Sequence, residues 1–80
     1  MAYPQSIVNM AREYIDLVDT ENSGVYGGDE VSDIESERRV LHLTLNTYLS
    51  SVWKKAEVKE IPEMYDLCRR IIMGSNLEGR

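Results

Sequence analysis

Apolar residues recur along most of this chain at three- and four-residue intervals, and only two stretches break the rhythm. Ile7, Met10, Ala11, Tyr14, Leu17 and Val18 form one stripe, which predicts an amphipathic helix over about residues 4–18. Ile15 widens that stripe, and Pro4 suits the first helical position, where a missing N–H costs nothing. Ile34, Leu41, Leu45, Tyr48, Val52 and Ala56 keep close to a heptad spacing, flanked by Leu49 and Trp53. They predict a second helix over about 33–57, roughly 37 Å long. Ser32-Asp33-Ile34-Glu35 reads as a capping box at its start. Ile61, Met64, Tyr65, Cys68, Ile71 and Ile72 predict a third helix over about 62–73, with Gly74 placed as its C-terminal cap. Residues 19–31 form an acidic, glycine-rich loop, and 75–80 read as a frayed tail. No alternating pattern competes, so the expectation is a single all-α domain over 1–80: three helices with one long central helix.

Size adds a reason to expect a partner. A chain of 80 residues buries only about 60% of the surface its unfolded form exposes. The first and third helices are too short to cover the second from end to end. The exposed remainder predicts self-association, a homodimer or higher homo-oligomer, with Leu45, Leu49, Val52 and Trp53 as the candidate interface.

Charge divides the chain. Fourteen acids and nine bases leave a net charge of −5, which argues against generic DNA binding. Nine of the acids lie between Glu13 and Glu37 with no base among them, whereas bases outnumber acids from Arg38 to Arg70. Trp53, Lys54, Lys55 and Lys59, with Arg69 and Arg70, form a basic cluster able to meet an anion or a partner's acidic surface. Tyr26, on the loop, adds an aromatic contact.

The loop from Asp19 to Glu30 resembles an EF-hand calcium loop. Asp19, Glu21 and Ser23 fall at the first, third and fifth positions, Gly24 at the turn, Val25 at the backbone-carbonyl position and Glu30 at the twelfth. The resemblance implies a calcium-binding helical module. The competing reading of the same residues is an acidic connector.

Other chemistry is thin. His42 and Cys68 are the sole histidine and cysteine, too few for a tetrahedral zinc site within one chain, and no motif orients them as a nucleophile pair. The glycines match no phosphate-binding fingerprint. No run is apolar enough to span a membrane, no leader pattern is visible, and a lone thiol fits a reducing compartment such as the cytoplasm. The expected function is a small non-enzymatic interaction module without a cofactor, an adaptor or inhibitor that occupies a partner surface. Small intracellular regulators and virus-encoded inhibitors share that profile. The alternatives are the calcium module and an oligomer holding a small anion, such as a nucleotide, between protomers.

Overall fold

The computed structural model describes residues 3–24 and 27–78. They form three helices, α1 (Gln5–Asn22), α2 (Asp29–Trp53) and α3 (Ile61–Glu78), and contain no strand. The protein is all-α. Ile7, Val8, Ala11, Tyr14 and Val18 of α1 are buried, as the three- and four-residue spacing requires of a helix with one face in the core. They meet Leu45 and Leu49 of α2 on one side and Met64, Leu67, Cys68 and Ile71 of α3 on the other. α1 is therefore the middle helix in packing, because α2 and α3 barely touch each other directly. α2 is the longest, with 25 residues against 18 in each of the others. The molecule extends 41 × 28 × 18 Å, and its radius of gyration of 13.1 Å exceeds the about 11.6 Å typical of this length.

Four helix ends differ from the sequence expectation, each for a local reason. α1 continues one turn past Val18, because Asp19 and Glu21 take partners on α3 and α2, and Gly24 (φ 73°) then turns the chain. α2 starts at Asp29 rather than Asp33. Gly28 holds φ 62° and ψ −126°, a conformation that only glycine adopts readily, and Ser32 donates its N–H to the Gly28 carbonyl inside the first turn. The capping box at Ser32 is thus absent, and Asp29 and Glu30 supply the negative charge that the helix N-terminus favours. α2 ends at Trp53 rather than residue 57, since Lys54 adopts a left-handed conformation (φ 55°, ψ 32°). Gly74 does not end α3. A Cβ there would stand 3.1 Å from the Tyr3 ring, so the glycine makes room for an aromatic contact within a helix that runs to Glu78.

Lys54 gives a direct test of the α2 terminus. A left-handed non-glycine residue costs roughly 1 kcal/mol. Lys54→Gly should therefore raise stability by about 0.5–1 kcal/mol in chemical denaturation, despite glycine's greater freedom when unfolded. A loss of stability would mean that the helix does not end there.

Candidate functional site

Residues 54–60 cross from α2 to α3 without regular structure and are pinned to α2 by side chains. The Asn46 carboxamide accepts the Val58 N–H at 2.9 Å and donates to the Val58 carbonyl at 2.9 Å, as a neighbouring strand would. His42 Nε2 lies 2.6 Å from the same carbonyl. A carbonyl can only accept, so in the neutral ring Nε2 carries the proton and Nδ1 receives the Tyr14 hydroxyl at 3.0 Å. Arg38, buried on α2, stands beside Tyr14 and pairs with Glu21 of α1 at 2.9 Å and Glu35 at 3.6 Å. A continuous polar line thus runs from Glu21 through Arg38, Tyr14 and His42 to Val58. Among the described residues, no buried side-chain nitrogen or oxygen lacks a partner.

Ionisation inside this core is costly. Burial is the main cause that pushes the Tyr14 hydroxyl from 10.0 up to about 12, partly countered by the Arg38 charge. Burial likewise pushes the Cys68 thiol from 9.0 up to about 12. Both groups favour the folded state while neutral. Their contribution is complete below about pH 9 and is lost as the pH climbs from about 9 to 12. Denaturation midpoints should hold level through neutral pH and fall steeply above about pH 10. Tyr14→Phe should flatten part of the fall, and an unchanged slope would contradict the buried placement.

The pinned segment and α2 bound an open groove of about 370 Å³, lined by Arg38, Arg39, His42, Leu43, Lys59 and Ile61. Arg38 and His42 are held by the polar line beneath. Leu43 and Ile61 give the groove its apolar lining, and Arg39 and Lys59 bring positive charge to it. Arg39 is exposed and its pair with Glu35 is long, at 3.5 Å. Leu43 is 63% exposed, and so is Val40 one turn earlier on the same solvent face. A second groove, lined by Ile15, Tyr65, Arg69, Ile72 and Met73, lies between α1 and α3.

The sequence-predicted contact residues are dispersed. Leu45 and Leu49 are 0% and 1% exposed, buried in the chain's own core and packed chiefly against α1 rather than lying on the surface. Val52 and Trp53 remain accessible, at 41% and 36%, and Trp53 packs edge-on against Tyr3 at 6.1 Å. Lys55 pairs with Glu63 at 3.4 Å and Arg70 with Asp66 at 3.7 Å. Lys59 and Arg69 line different grooves. Tyr26 and Val25 lie outside the described residues. The groove adds Arg39, His42, Leu43 and Ile61, which the sequence pattern places on no contact surface.

Among the described residues, the side chains of the calcium-loop reading do not converge on one point. Asp19 and Glu21 belong to α1, and Glu30 to the first turn of α2. Asp19 accepts the Tyr65 hydroxyl at 3.0 Å, a bond that raises the Tyr65 pKa, and Glu21 holds Arg38. The Ser23 hydroxyl turns back to the Thr20 carbonyl at 2.6 Å. Among the described residues, no group of three or more acidic, histidine or cysteine side chains could hold a metal ion. No described helix is long and apolar enough to cross a membrane.

No family model matches the chain, and neither the curated proteins nor the solved structures give a match.

Proposed function

We propose that this protein is a non-enzymatic interaction module, an adaptor or inhibitor whose working surface is the solvent face of α2 with the groove beside it. Its occupant is an acidic amphipathic helix. The observation that carries the reading is the pairing of two well-exposed aliphatics, Val40 and Leu43, with positive charge at Arg39 and Lys59. An apolar lining gives affinity by excluding water, and the two charges select a negative partner and speed its approach. A groove of about 370 Å³ that is open along one side encloses too little of a small ligand to hold it as a closed pocket does, whereas a helix can lie along it. The small-anion alternative would use the same two charges but would not need Leu43.

Fluorescence anisotropy with a labelled acidic amphipathic helical peptide tests the reading. Binding should weaken when the peptide's Glu residues are replaced by Gln, when salt is raised, and in Lys59→Glu. It should be lost in Leu43→Asp, with the helical circular dichroism unchanged. Equal binding of the acidic and neutral peptides, or indifference to Leu43→Asp, would refute it.

A further inference from the structure

We infer that the helix received by the solvent face of α2 is α2 of a second copy, running antiparallel about a two-fold axis that passes between Leu41 and His42. This rests on the reading of the α2 solvent face as an interaction surface and adds the identity and register of the occupant.

The solvent face carries a second stripe, distinct from the buried seam. From Asp29 to Ser50 along α2 it steps by four and three residues in alternation, with Lys54, the residue that ends the helix, at the next step, and every one of these positions is exposed. Such a stripe is the seam of a two-helix coil. Its chemistry reads the same from either end once opposite charges are paired. With the axis placed between Leu41 and His42, Val40 faces Leu43 of the second copy, so the two most exposed aliphatics of the helix cover each other. One layer outward, Ser36 faces Thr47. The Thr47 hydroxyl is already bonded to the Leu43 carbonyl at 3.1 Å, which leaves its methyl as the outer surface. Beyond these, Asp33 faces Ser50, both small enough for close approach. At the ends Asp29 faces Lys54, with Glu30 and Lys55 next to them.

Orientation follows from those ends. A parallel pair would set Asp29 against Asp29 and Lys54 against Lys54, two like-charge contacts at each of which the antiparallel pair has an attraction. The antiparallel arrangement is also isologous, so it uses the face up and stops at two copies. Four aliphatic side chains at the centre and exposed charge pairs at the ends make a small contact, so the dimer is a weak one that forms at micromolar concentration and loosens with salt.

Sedimentation of the full chain over a micromolar dilution series tests this. The expected mass approaches twice 9.2 kDa at the concentrated end and falls on dilution. Leu43→Asp should weaken the dimer by at least about tenfold while leaving the helical spectrum intact. Register is read by mixing Ser36→Cys with Thr47→Cys under mild oxidation, Cys68 being buried and out of reach. Cross-links between positions 36 and 47 should outnumber those between two copies of position 36. A chain that stays monomeric throughout, a dimer indifferent to Leu43→Asp, or a majority of 36-to-36 links would overturn the inference. A monomer that still binds the acidic peptide would remove the second copy as occupant and leave the proposed function standing. Loss of both would remove both.

Discussion

Leu45→Ala should lower stability by about 2–5 kcal/mol, whereas Leu43→Ala, two residues away on the same helix, should change it by no more than about 0.5 kcal/mol. Leu45 is fully buried at the junction of α1, α2 and the segment leading to α3, so truncation removes apolar contact and leaves a cavity that a close-packed core closes only in part. Leu43 is mostly in water already and leaves nothing behind. A domain of 80 residues has about 4–12 kcal/mol of stability in all, so the Leu45 variant should stand near the edge of folding. At about 4–8 °C per kcal/mol its melting temperature should drop by roughly 8–40 °C. The comparison separates a leucine of the core from a leucine of the surface. Equal costs for the two would mean that α2 is rotated about its axis relative to this arrangement.

Asn46→Ala should have the second-largest effect, about 2–3 kcal/mol, because Val58 is nearly fully buried and its N–H would lose its partner. The Val58 carbonyl would keep only His42. Asn46→Asp separates hydrogen bonding from shape. An ionised carboxylate can still accept the Val58 N–H, but its other oxygen would face the Val58 carbonyl at about the 2.9 Å where an amide now donates. That variant should be weakest at neutral pH and recover as acid protonates the new side chain. Urea midpoints measured at low and neutral pH check the ordering. An Asn46→Asp variant as stable as the parent at neutral pH would show that the segment is not pinned at this point. The consequence for the site is direct, because a released segment would carry Lys59 away from Leu43 and dissolve the groove.

The core was largely legible in the sequence, and the surface was not. Ile7, Ala11, Tyr14 and Val18 announce the buried face of α1 by spacing alone, and Met64, Cys68 and Ile71 do the same for α3. The helix ends were harder to read, because capping chemistry at Ser32 is weaker than the freedom of Gly28 together with acids at Asp29 and Glu30. The Asn46–Val58 pin left no pattern to find, since its second half is main chain twelve residues further on. α2 misled for a physical reason. It carries two apolar faces, and the stronger one, through Leu45 and Leu49, reads as a surface for a partner although it is packed into the chain's own core, chiefly against α1. The weaker one, with only Val40 and Leu43 at its centre, is what remains exposed. Its signal lies in the sequence as a second stripe of four- and three-residue steps with an acid at one end and a base at the other.

Amide chemical shifts of the labelled chain, followed as the acidic peptide is added, test most directly whether the solvent face of α2 is the working surface. The expected result is a set of shifts centred on Arg39, Val40, Leu43 and Thr47 and extending to Lys59, with the core amides of Ala11, Tyr14 and Cys68 unmoved. Shifts gathered instead at Ile15, Tyr65, Arg69 and Met73, on the groove between α1 and α3, would contradict it.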